Sequence, residues 1–164
     1  MSVNKVNSLD KLVSPFREAI VWLQYRLEES GIYMVRWETY RSHERQDYLK
    51  KKGSTKAKAG QSPHNYGLAA DFVLDTERVE CAHRIWKSPS TGIERWVPCA
   101  WECDTPAAKD TWLKFGMAVR SMGLVWGGDF GEDGSNSSAI GWDYPHCELR
   151  GWRDIAKKVN GKNG

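Results

Sequence analysis

Two short strings, far apart along the chain, constrain this sequence more than anything else in it, because the fold must bring them together. The first is Ser62-Pro63-His64-Asn65-Tyr66-Gly67-Leu68-Ala69-Ala70-Asp71, and the second is Trp142-Asp143-Tyr144-Pro145-His146-Cys147-Glu148-Leu149. His64, Asp71 and His146 offer two imidazoles and one carboxylate. That set suits Zn²⁺ and leaves a fourth position open for water. Asp143, three residues before His146, is placed to act as a base on that water. In the first string a loop carries the histidine and a strand over 67–74 carries the carboxylate, with Gly67 permitting a sharp turn between them. Ala69 shares the strand face of Asp71 and leaves room above a metal. In the second string Pro145 fixes the backbone just before the ligand. A carbonyl under attack gains negative charge, so a cation should stand opposite the base. Arg41, at the end of a strand over 32–39, is the candidate. Each string alone is a common coincidence. Two of the chain's four histidines falling in such strings is more telling.

At 164 residues the chain reads as one domain over 1–164, long enough to bury a core without disulfides. Hydrophobic residues are 40% and charged residues 27%, as in soluble globular proteins. A net charge of +3 is compatible with an anionic polymer or membrane surface without demanding either. Basic residues are scattered apart from Lys50, Lys51 and Lys52, so no nucleic-acid partner is indicated. The polar stretch over 1–12 lacks the apolar core of a secretory signal, and no run is long enough to span a membrane. Synthesis in the cytoplasm is therefore expected. Nine tryptophans are many. Most are assigned to the core, while Trp126 and Trp142, which flank the second string, are candidates for a groove that takes a carbohydrate-rich polymer.

Ser14-Pro15 reads as a helix start. Phe16, Ile20, Leu23 and Leu27 follow at helical spacing, and Gly31 stops the helix. Ser42 is expected to cap a short charged helix ending near Gly53. Thr105-Pro106 starts a second long helix with a stripe of Trp112, Phe115, Val119 and Met122, ended by Gly123. A strand over 140–149 carries the second string, and a short helix follows over 152–159. Residues 75–104 show no clear period and read as an insertion with short strands around 94–99. The order of elements predicts an α+β domain with a small antiparallel sheet flanked by helices. Cys81, His83, Cys99 and Cys103 lie in the insertion. Their spacing is consistent with a second, structural zinc; the alternatives are reduced, partly buried cysteines or a disulfide.

The string over 62–71 matches all five fixed positions of the Ser-x-His-x-x-Gly-x-Ala-x-Asp signature of the VanY-like D-Ala-D-Ala metallopeptidases. Residues 39–46 resemble that family's "GYR…Q" stretch, with Glu38 and Thr39 where small residues are usual. Residues 123–130 resemble its "GLxWGGDW" stretch, and 143–149 its "DxPHFEL" stretch with Cys147 in place of phenylalanine. The resemblance covers about 32–149. It implies a hedgehog/D-Ala-D-Ala peptidase-like fold and one zinc held by His64, Asp71 and His146. It implies Asp143 as general base and acid, Arg41 as stabiliser of the carbonyl and oxyanion, and Ser62 in contact with substrate. Glu148, two residues from His146 and on the same face of a strand, is the rival base. The family's catalytic acidic residue precedes the last histidine by three, which favours Asp143. Asp129 is either support behind the metal ligands or a loop cap. The implied function is zinc-dependent hydrolysis of the peptidoglycan stem peptide. Similarity to single-domain phage endolysins favours the L-alanyl-D-glutamate bond, a monomer, and release from the host cytoplasm through a separate pore-forming protein. The alternatives are a D-alanyl-D-alanine carboxypeptidase and a non-catalytic wall-binding or phage structural protein.

Overall fold

The protein is described by a computed structural model over residues 3–78, 84–87, 92, 94–97, 99–103, 105–131 and 140–161. In chain order the elements are α1 (Phe16–Glu29), β1 (Met34–Glu38), α2 (His43–Lys51), β2 (Ala69–Leu74), β3 (Arg84–Lys87), β4 (Glu94–Val97), α3 (Pro106–Ser121), β5 (Val125–Trp126), β6 (His146–Glu148) and α4 (Trp152–Gly161). Single 3-10 turns occupy Pro63–Tyr66, Cys99–Trp101 and Gly127–Asp129. Four strands form an antiparallel sheet in the order β1-β2-β6-β5, and β3 pairs with β4 separately. This is the expected α+β architecture. Among the described residues, no helix is long and apolar enough to cross a membrane.

Burial, rather than capping, explains α1. Phe16, Ile20, Leu23 and Leu27 are all buried, as their spacing requires. Pro15 takes the cap position and no side chain caps the helix, so Ser14 does not play the part its sequence predicts. Each buried side chain contributes roughly 1.5–3 kcal/mol, against about 1 kcal/mol for a good cap, so the loss is affordable. The other two caps form as expected: Ser42 Oγ accepts from the Arg45 N–H at 3.2 Å, and Thr105 Oγ1 from the Ala108 N–H at 3.2 Å. Trp112, Phe115 and Val119 of α3 are buried against the sheet and α1.

β2 divides the molecule. Ala70, Phe72 and Leu74 face the helices, and Phe72 meets Phe115 with ring centroids 5.3 Å apart. The strand expected over 140–149 is much shorter. Only His146–Glu148 is extended. A turn precedes it, closed by the His146 N–H donating to Asp143 O at 2.9 Å, because Pro145 has no N–H to lend to a ladder. Cys147 is fully buried and its thiol donates to Ala70 O at 3.4 Å. Burial pushes that thiol well above its usual pKa.

Trp126 corrects a second expectation: it is not in a groove. It is fully buried, and its Nε1 donates to Tyr144 O at 2.8 Å. Its indole lies directly against two glycines. A Cβ at Gly116 would meet ring atoms at 2.3–2.5 Å, and one at Gly128 at 2.2–2.4 Å. Gly116 sits in mid-helix, where alanine ordinarily stabilises by about 1 kcal/mol. Here Gly116→Ala should instead destabilise by about 1–3 kcal/mol through overpacking, read as a lowered denaturant midpoint.

Candidate metal centre

Strand register assembles the site. The β2–β6 ladder sets Asp71 directly opposite His146. In the β1–β2 ladder Arg36 pairs with Phe72 and Glu38 with Asp71, so Trp37 is the extra residue of a bulge. Without the bulge, alternation would put Glu38 on the core face with Met34 and Arg36. The extra residue turns Glu38 onto the Asp71 face. His64 comes from the 3-10 turn Pro63–Tyr66, which ends at Gly67 with φ +68°. A Cβ there would strike Lys11 O at 2.3 Å, so a side chain is excluded both by conformation and by contact.

One ligand atom from each of His64, Asp71 and His146 lies within 4.8 Å of the others. Asp71 Oδ1 is 3.3 Å from His64 Nε2 and 3.0 Å from His146 Nδ1, and the two nitrogens are 3.3 Å apart. Each ring's outer nitrogen already has a partner. His64 Nδ1 is 2.6 Å from Thr39 O, and His146 Nε2 is 2.9 Å from Glu148 Oε2. Those oxygens accept, so the outer nitrogens carry the protons and the inner ones keep lone pairs for a metal. Burial opposes ionisation of Asp71, but the two imidazoles outweigh it and hold the carboxyl well below its usual range. At His146 burial also disfavours charge, yet the Asp71 and Glu148 carboxylates raise its pKa to about 10. A proton is thus held where a cation fits, and the donor set matches a divalent metal ion.

These ligands lie in a cleft of about 740 Å³ whose walls include Trp37, Trp101, Trp142, Arg41 and Asp143. Trp142 is 74% exposed, as a groove residue should be. Burial pushes the Asp143 carboxyl above its ordinary range, against the pull of His146. Arg41 is buried beside the ligands. One terminal nitrogen donates to Glu38 Oε2 at 2.8 Å and to Asp71 Oδ2 at 3.3 Å, and the other to Gln46 Oε1 at 3.0 Å. Glu38 also accepts from Arg45 Nε. Glu38 is therefore a site residue that sequence reasoning missed, although its place where the family prefers a small residue was the available signal.

The remaining candidates are placed as follows. Ser62 is buried, and its N–H donates to Asn65 Oδ1 at 3.4 Å; it starts the turn that carries His64 and does not line the cleft. Glu148 faces the outer nitrogen of His146, so its position is that of an orienting group rather than a base. Asp129 supports no ligand: it is a surface partner of Arg120, whose Nε donates to it at 3.0 Å. Of the possible second zinc, Cys81, His83 and the Cys99 side chain lie outside the described residues, while Cys103 is partly buried. Glu148→Ala should weaken zinc affinity by about 10- to 100-fold with the fold retained, measured by competition with a chromophoric chelator. Asp129→Ala should leave that affinity unchanged.

The chain is similar to known proteins in sequence and in fold. The D-alanyl-D-alanine carboxypeptidase family model matches residues 55–149. The peptidoglycan L-alanyl-D-glutamate endopeptidase CwlK of Bacillus subtilis is 32% identical over 126 residues, covering 73% of this chain and 62% of its own length. The chain thus spans about three-fifths of that relative. Among solved structures, the Serratia marcescens L-Ala D-Glu endopeptidase ChiX shares the fold with a TM-score of 0.55 and 20% identity, covering 94% of this chain and 96% of its own. The vancomycin-resistance D,D-pentapeptidase VanY, solved in complex with Zn(II), shares it with a TM-score of 0.52 and 17% identity, covering 99% and 86%. With His64, Asp71 and His146 gathered at one centre and both the family model and CwlK matching more than half of its length, this chain belongs to the D-alanyl-D-alanine carboxypeptidase (M15) family of peptidases.

Proposed function

We propose that this chain is a zinc-dependent peptidase that cuts the L-alanyl-D-glutamate bond of peptidoglycan stem peptides. The observation that carries this reading is the convergence of His64 Nε2, Asp71 Oδ1 and His146 Nδ1 on one point in a cleft that Asp143 also lines. The choice of bond is supported by the CwlK and ChiX relatives, both named for that cleavage.

His64, Asp71 and His146 would hold the ion. Bound there, zinc supplies a Lewis acid and lowers the pKa of a water molecule. Asp143 takes the proton from the attacking water and returns it to the leaving amine. Its raised pKa suits both halves of that task, because a more basic carboxylate holds the proton better between the two steps. The Arg41 guanidinium, held by Glu38, Gln46 and Asp71, keeps positive charge near the carbonyl oxygen as it becomes negative. Glu148 and the Thr39 carbonyl keep the two imidazoles in the ligating tautomers.

A second reading, removal of a terminal D-alanine, is favoured by the description of the matching family. The wider setting that we propose is that of an endolysin, reaching the wall through a separate pore-forming protein. Mass spectrometry of digested peptidoglycan separates the two bonds. New D-glutamyl N-termini support the endopeptidase, loss of D-alanine alone supports the carboxypeptidase, and either product should vanish with a chelator. Asp143→Asn should lower kcat/KM by about 10²- to 10⁴-fold while the protein retains its zinc. Loss of metal from that variant would instead place Asp143 among the ligand supports.

A further inference from the structure

We propose that Trp101, braced by Trp37, is the platform on which the N-acetylmuramyl sugar of the substrate rests, so that glycan-linked stems are cut in preference to free stem peptides. The proposal rests on the L-alanyl-D-glutamate reading above. In that substrate the acyl side of the scissile bond is a single alanine, and its nitrogen is joined through a lactyl group to the sugar. The sugar therefore begins only about 7 Å from the attacked carbonyl, two residue lengths away. Any cleft that binds the acyl side has to meet it.

Arg41 meets the carbonyl, which belongs to the acyl part, and Arg41 is bonded to Glu38 at 2.8 Å. Asp143 protonates the leaving nitrogen next to Trp142, while the acyl part runs along Arg41 and Glu38. There the bulge presents Trp37 beside Glu38, and Trp101 packs edge-on to it with ring centroids 5.3 Å apart at 80°. Both rings line the cleft. This wall is held in place before substrate arrives. Lys5 Nζ sits 3.1 Å from the centroid of the Trp37 ring. The Tyr144 hydroxyl donates to Trp101 O at 2.7 Å, and Trp112 Nε1 donates to Glu102 O at 2.7 Å. Tyr144 and Trp112 pack on each other at 4.7 Å, so the core itself grips the backbone on which Trp101 stands. A pyranose has an apolar C–H face, and a rigid indole offers matching flat area at little cost in side-chain freedom.

The test compares a disaccharide-linked stem peptide with the same peptide freed of sugar, using the zinc-loaded full chain. The wild type should show kcat/KM about tenfold higher for the sugar-linked substrate. Trp101→Ala should collapse that ratio to about one, Trp101→Phe should keep most of it, and Trp142→Ala, on the leaving side, should keep the ratio. A wild-type ratio near one, or a Trp101→Ala loss shared equally by both substrates, overturns the proposal. Should Trp101→Ala fail to fold, inhibition of the wild type decides. N-acetylmuramyl-L-alanine should inhibit about tenfold better than N-acetyl-L-alanine, and equal inhibition overturns the proposal. Product masses are read separately. D-glutamyl products with no sugar preference remove this proposal only, whereas loss of D-alanine alone removes the endopeptidase reading and this proposal with it.

Discussion

The site depends on Asp71 standing directly opposite His146 across two short strands. Side chains alternate along a strand, so a slip of one residue in that ladder would send Asp71 to the helix-packed face and put Ala70 or Phe72 where the ligand belongs. The core resists such a slip. Ala70, Phe72 and Leu74 are all buried against α1 and α3 on the other face, and Cys147 is buried opposite Ala70. Hydrophobic burial on one side of the sheet thus fixes the geometry of the polar site on the other.

Charge balance gives a second constraint. Glu38, Asp71, Asp143 and Glu148 crowd into the site, where Arg41 pairs with Glu38 and Asp71, and Arg45 with Glu38. Buried charges that lack a partner are costly, and a cation held between the carboxylate of Asp71 and the two imidazoles is a partner of the right sign. The same crowding of negative charge raises the pKa of His146.

Much of this was legible in the residues. The α1 and α3 stripes, the caps at Ser42 and Thr105, and the gathering of His64, Asp71 and His146 follow from spacing and from the signature they complete. What was not legible came from tertiary context. A bulge leaves no mark in local propensity, so nothing in Met34–Glu38 by itself said that Glu38 would turn toward Asp71. Trp126 flanks the second string as Trp142 does, yet one is buried and the other exposed. The glycines that accommodate Trp126 lie ten residues before it, at Gly116, and two after, at Gly128, and only the packed structure shows them meeting one indole. Asp129 and Glu148 look alike in sequence as acids near the motif. Arg120, one helix away, claims the first, while strand alternation delivers the second to His146.

The chain over 75–104 enters and leaves at fixed points. At its start the Asp75 N–H donates to Tyr33 O at 3.0 Å, and Arg78 bridges Asp75 and Glu28; at its end Trp101 O is held by Tyr144. When both ends of a loop are anchored, the entropy of closing it grows only with the logarithm of its length, so that even a doubling costs about 0.6 kcal/mol. Evolution is therefore free to lengthen, shorten or rewrite what lies between those anchors at little thermodynamic penalty. The metal ligands, which hang from β2, β6 and the turn before β2, would not register the change.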